Sequence, residues 1–232
     1  MAELTREVAL DALDAAYGQL TGTVTGLGAA GLMRPSRCAG WAAGDVLYHQ
    51  LTDARRALRT FASPDPGPAD CDDVTYWRDY APRAGEAGER ARAAEATHAR
   101  HVRIVASAYT PDELTWEWAE TAAAACRAAR ACQAGGVATQ GHVLRPADFT
   151  ATLAVEAAVH YLDLTVALPA APPPPPAALA LVRRVLDGLA GRPLPAFWDD
   201  VTAALKGTGR VPLDGADRAG LGALADRLPL FA

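Results

Sequence analysis

Between residues 149 and 168 the ionisable side chains are Glu156, His160 and Asp163, joined by the phenol of Tyr161. At 100° per residue, a helix that puts Glu156 at zero places His160 at about 40° and Asp163 at about 340°, one narrow stripe. Leu153, Leu164 and Val159 border the stripe, and Val155, Leu162 and Val166 cover much of the rest. A helix apolar nearly all round is a buried one. A carboxylate and an imidazole inside a bundle must be paired or bound to a metal, because desolvating either alone is prohibitive. Glu156 and His160, at i and i+4, have the spacing by which two side chains reach a common ion. The same spacing serves a Glu–His hydrogen bond in the core, and spacing alone does not choose between the two. Three ionisable groups on one stripe argue against a membrane span.

A third ligand would have to come from another helix. His98 and His101 sit on a charge-rich helical segment and His142 in a loop, and all three read as surface residues. His49 lies on a helix whose apolar stripe is Leu47, Leu51, Ala54, Leu58 and Phe61, and it points about 160° away from that stripe. It is therefore either exposed or turned toward a second, more polar interior surface. Cys38, Cys71, Cys126 and Cys132 contain no CxxC pair, which excludes a zinc ribbon and a thioredoxin-like motif and leaves free thiols.

The elements that must position these groups follow from periodicity and punctuation. Apolar residues recur at three and four from residue 4 to 27, and again over 42–61, where Ser63-Pro64-Asp65-Pro66-Gly67-Pro68 stops the helix. Residues 28–40 carry the glycine and proline of a loop. A third helix, rich in Glu and Arg, is expected over 85–109, and a fourth over 149–168, entered through Pro146 with Asp148 as N-cap. Residues 115–120 alternate, as a short strand would, and 137–144 forms a second extended candidate. Four long helices with loop-rich crossovers predict a bundle, whose core is the usual place for a site assembled from facing side chains. Five prolines, Pro172 to Pro176, predict a stiff extended spacer of about 15 Å. They divide the chain into a bundle (1–170), a linker (171–176) and a small α or α/β appendage (177–232). In the appendage 177–189, 197–205 and 217–227 read as helical and 210–213 as extended.

The 232 residues, half of them hydrophobic, suffice to bury a core without disulfides. A net charge of −5 with no concentration of basic residues excludes nucleic acid as a partner. Glu3 and Glu7 stand where a signal peptide needs positive charge and then an apolar run, which predicts a cytoplasmic protein. No phosphate-binding glycine loop or dinucleotide fingerprint is present in the sequence.

The stretch Arg34-Pro35-Ser36-Arg37-Cys38-Ala39-Gly40-Trp41, continuing through Asp45-Val46-Leu47-Tyr48-His49, resembles the opening of the mycothiol-dependent maleylpyruvate isomerase N-terminal family, within the DinB-like superfamily. Glu156-Ala157-Ala158-Val159-His160, followed by Asp163-Leu164, is similar to that family's second signature. Ala39 departs from a frequent proline and touches no ligand. The resemblance implies a mainly α, DinB-like four-helix bundle that holds a divalent metal, most commonly zinc, on His49, Glu156 and His160. It further implies a thiol cosubstrate, mycothiol or a similar small thiol, whose metal-bound thiolate adds to an electrophilic small molecule, giving S-transfer or cis–trans isomerisation. Asp45 and Asp163 are then candidate outer partners orienting the imidazoles, and Trp41, Tyr76, Trp77 and Arg78 candidates for lining the pocket, with Arg78 meeting a substrate carboxylate. No catalytic side chain is assigned beyond the metal site. The partners implied are the thiol and the electrophile, on a monomer or homodimer, without membrane or nucleic acid. The alternative is a metal-containing binding or regulatory protein without turnover.

Overall fold

The computed structural model describes residues 4–231; Glu3 of the N-terminal segment lies outside them. The chain is mainly α-helical, with one small hairpin. Helix α1 (Arg6–Val24) starts where Thr5 Oγ1 accepts the Val8 N–H at 3.3 Å, a side-chain cap on an otherwise orphaned donor. The expected loop after it contains a short helix, α2 (Gly28–Leu32). Helix α3 (Ala43–Phe61) follows, its first turn closed by Asp45 Oδ2 accepting the Ala42 N–H at 2.8 Å.

The segment 72–82, which periodicity does not assign, holds a 3-10 turn (Thr75–Tyr80) that buries Tyr76 and Trp77. The charged helix α4 (Gly85–Ala106) is where the sequence places it, yet it is not a member of the bundle. It packs chiefly on α3 and buries only Gly88 and Val102 among its residues. The missing bundle helix is α5 (Pro111–Ala131), across the stretch that alternation reads as a strand. Thr110 and Glu113 cap it reciprocally and Pro111 opens it, a start signal that outweighs a brief alternation. Trp118 is fully buried and Trp116 two-thirds exposed. A strand would send both to one face, whereas a helix sets them about 200° apart.

Strands β1 (Val137–Thr139) and β2 (His142–Leu144) pair antiparallel, Thr139 opposite His142, around Gln140-Gly141, both at positive φ. That is the two-residue turn whose twist suits a hairpin. Helix α6 (Pro146–Leu164) opens with Arg145 at the N-cap; Asp148 sits inside the first turn, buried and gripped by Arg145 at 2.6 and 3.0 Å, rather than capping. The bundle is α1, α6, α3 and α5, each packed on the next around the ring. Helix α6 buries fifteen of its nineteen residues, as its apolar circumference requires.

After the prolines, α7 (Pro176–Ala190) lies against α1 and α6. Helices α8 (Asp200–Gly207) and α9 (Gly215–Leu221) complete a helical appendage. Residues 210–213 form no strand. Besides the packing of α7, side chains tie the appendage to the rest of the chain: Arg184 to Asp73, Arg210 to Asp163, and Phe231 against Trp77 at 4.6 Å between centroids. No described helix is long and apolar enough to cross a membrane.

Candidate metal centre

Helix α6 presents its ionisable stripe to α3, and α3 answers with His49, Asp53 and Arg56, which at i, i+4 and i+7 share one face. His49 therefore faces the polar interior surface, the second of the two readings its angle permitted. His49 Nε2 and His160 Nε2 each lie 3.4 Å from the same oxygen, Oε1 of Glu156. The imidazole centroids are 4.7 Å apart. All three donor atoms fall within 4.8 Å of one another, and their side chains keep 12–22 % of their surface exposed. The cluster is thus reachable from solvent.

The separations bear on whether an ion fits. A hydrogen bond between these groups prefers about 2.7–3.0 Å. Donors at about 2.0–2.1 Å from a tetrahedral ion stand about 3.3 Å from each other, which is the observed spacing. Both imidazoles turn Nε2 inward and engage Nδ1 elsewhere: His160 Nδ1 meets Asp163 Oδ2 at 3.0 Å, and His49 Nδ1 meets His98 Nε2 at 3.4 Å. Such outer partners fix the tautomer that leaves the inner nitrogen free as a ligand. Tyr17 Oη, Asp53 Oδ2 and Trp41 Nε1 are buried without a hydrogen-bond partner. Tyr17 senses the charge of both Asp53 and Glu156. Buried polar atoms in that state mark room for a polar ligand, water or an ion. The residues fit a divalent ion.

The carboxylates and imidazoles of the cluster also shift one another's protonation. Burial pushes the Glu156 carboxyl up, but hydrogen bonds from His160 and His49 outweigh it and hold the group well below the usual range. Burial likewise raises Asp163, while His160 and Arg210 bring it down to about 2. Asp163 is the hub of a larger cluster. Arg210 reaches it from the appendage through Nε and Nη2 at 3.0 Å, and the Cys38 thiol donates to Oδ2 at 3.5 Å.

The remaining candidates divide. Trp41 tilts against His49 at 5.5 Å between centroids. Tyr76 is buried beside Tyr80, their hydroxyls 3.0 Å apart, and both phenols sense the charge of Glu156. Trp77 packs instead on Phe231, and Arg78 is exposed on a groove of about 540 Å³ shared with Pro82, Leu189 and Arg227. Asp45 closes the first turn of α3. Sequence reasoning passed over several residues that border the donors. Asp53 and Arg56 were legible as the continuation of the His49 stripe. Arg56 bonds Asp53 Oδ1 at 3.1 Å and Gln140 Oε1 at 2.8 Å, so the hairpin turn becomes a wall of the site. His98, expected on the surface, is exposed but lies against His49. Cys38 and Arg210 carried no spacing signal.

No curated protein and no solved structure matches the chain. Residues 13–165, well over half of the chain and inclusive of all three donors, match the mycothiol maleylpyruvate isomerase N-terminal domain, and the chain belongs to that family.

Proposed function

We propose that the chain is a metal-dependent enzyme that uses a small thiol, mycothiol by family, against an electrophilic small molecule, with S-transfer or cis–trans isomerisation as the outcome. The observation that carries the reading is the pair of imidazole nitrogens set 3.4 Å from one carboxylate oxygen. His49, Glu156 and His160 would hold the ion, zinc among the metals that imidazole and carboxylate suit. When bound, a dication supplies the charge that favours thiolate over thiol, and the thiolate is the nucleophile. Two imidazoles and one carboxylate leave a coordination position open, the mark of a catalytic rather than a closed structural site.

The chain's own residues do the rest. Asp163 holds His160 Nδ1–H and is itself neutralised by Arg210, so the ligand ring keeps one orientation. His98 does the same for His49 from α4. Trp41 covers one edge of His49 and keeps water from it. Arg56, with Tyr76 and Tyr80 beside it and all three within charge range of Glu156, offers donors by which an anionic substrate group can be oriented.

The test supplies purified protein with mycothiol and maleylpyruvate and follows loss of the electrophile. Consumption that requires both the thiol and the metal, and that falls at least a hundredfold in Glu156→Gln, supports the reading. Metal retention with no thiol-dependent reaction across a panel of electrophiles favours a binding protein instead.

A further inference from the structure

A second cluster of ligand-type side chains lies outside this centre. One ligand atom from each of Asp70, Cys71 and His142 lies within 4.8 Å of the others, and Asp70 Oδ1 and His142 Nδ1 are 3.1 Å apart. The placement is built by backbone. The Asp70 N–H donates to Val143 O at 3.0 Å, and the Val143 N–H donates back to Asp70 Oδ1 at 3.3 Å. The Asp-Cys pair is thereby pinned alongside β2, one residue from His142. The other ring nitrogen, Nε2, meets Asp79 Oδ2 at 3.0 Å. With Nε2–H held by the Asp79 carboxylate, loss of the Nδ1 proton leaves the inner nitrogen a free lone pair for an ion, as at metal-binding histidines generally. Cys71 is half-buried and forms no disulfide. Donors of these three types at this separation suit a borderline-soft divalent ion such as zinc, at about 2.3 Å from sulfur and 2.0–2.2 Å from nitrogen and oxygen.

We propose that Asp70, Cys71 and His142 form a second divalent-ion site of thiolate–imidazole–carboxylate type, with Asp79 orienting His142 from outside. Binding forms three metal–ligand bonds and releases the Cys71 thiol proton to solvent, together with the second imidazole proton wherever His142 carries one; nothing is oxidised or reduced. The consequence lies in what the ligands are attached to. His142 follows the turn whose Gln140 holds Arg56 and Tyr76, and Asp79 belongs to the 3-10 turn that carries Tyr76. An ion here ties His142 of the hairpin to the 70–71 segment that leads into the 3-10 turn, and so stiffens one wall of the His49–Glu156–His160 centre without touching it.

The experiment titrates metal-free full-length protein with cobalt(II), counts bound equivalents and reads the near-ultraviolet sulfur-to-cobalt charge-transfer band. The expected result is two equivalents and a band. Cys71→Ser abolishes the band and one equivalent, Asp70→Asn weakens both, and His160→Ala loses one equivalent while keeping the band. Absence of the band from the unmodified protein overturns the proposal, as does a band that survives in Cys71→Ser, since sulfur then comes from Cys38 or elsewhere. One equivalent, with a band lost in Cys71→Ser and untouched in His160→Ala, supports this site and removes the other.

Discussion

At the scale of single residues, two aspartates near the donor histidines have different work. Asp163 is buried, accepts from His160 Nδ1 and is held by Arg210, whereas Asp45 closes the first turn of α3 and touches no imidazole by hydrogen bond. Removing an outer partner of a metal histidine typically weakens metal binding 10–100-fold. Asp163→Asn is therefore expected to lower zinc affinity within that range, read by competition with a chromophoric chelator. Asp45→Ala is expected to cost about 1 kcal/mol of stability in a urea melt, the worth of a helix cap, with zinc affinity unchanged. Equal affinities in both variants would contradict the assignment. Glu156 and His160 were legible from their spacing along one helix, whereas periodicity left His49 open and only the resemblance pointed to it. Cys38 and Arg210 were not, because what joins them to Asp163 is tertiary packing across 125 and 47 positions of sequence.

At the scale of elements, the bundle was read correctly in kind and wrongly in membership. Long periodic segments gave α1, α3, α4 and α6, but α4 is a charged outer helix on α3 and the fourth bundle helix is α5. The reason is physical. Alanine carries little periodic contrast, and the buried face of α5 is largely alanine, with Ala122, Ala125 and Ala129 below Leu114 and Trp118. A short Trp-x-Trp alternation then dominated the pattern, although Thr110, Pro111 and Glu113 announced a helix start. The two tryptophans test the assignment. Trp118 is fully buried, edge-on to Tyr17, with its Nε1–H donating to Thr21 Oγ1 at 2.9 Å. Trp118→Phe leaves most of the volume, so Trp118→Ala is the sharper probe and is expected to cost about 3–5 kcal/mol. Trp116→Ala, at an exposed position, is expected to stay within about 0.5 kcal/mol. Similar losses at both positions would return the segment to a strand-like placement.

At the scale of the whole molecule, the appendage bears on the centre through Arg210 and has a polar core of its own. There Asp217 accepts from Trp198 Nε1 at 2.6 Å and pairs with Lys206, the chain's single lysine. Burial raises the Asp217 carboxyl, but Lys206, the Asp214 backbone and Trp198 bring it down to about 2. A carboxyl lowered on folding stabilises the native state above its unfolded value and loses that contribution as pH falls through the folded one. Asp217→Asn should accordingly lower Tm near neutral pH, with the difference from the parent protein shrinking between about pH 4 and pH 2. A difference constant over that interval would contradict the network. Apolar periodicity over 177–189, 197–205 and 217–227 agrees with the helical segments found there. It did not see that residues 210–213 are an irregular segment, because their job is to carry Arg210 to Asp163 rather than to pair in a sheet.

The central claim is that three side chains on two helices hold one divalent ion, and metal per chain by plasma mass spectrometry tests it most directly. The comparison is between protein purified without a histidine tag and His160→Ala and Cys71→Ser variants prepared identically. His160→Ala is expected to lose one equivalent of zinc or a related dication, and Cys71→Ser to retain that equivalent. No bound metal in the unmodified protein, and no uptake when zinc or nickel is added, would contradict it and leave Glu156 between its two histidines as a buried hydrogen-bonded cluster.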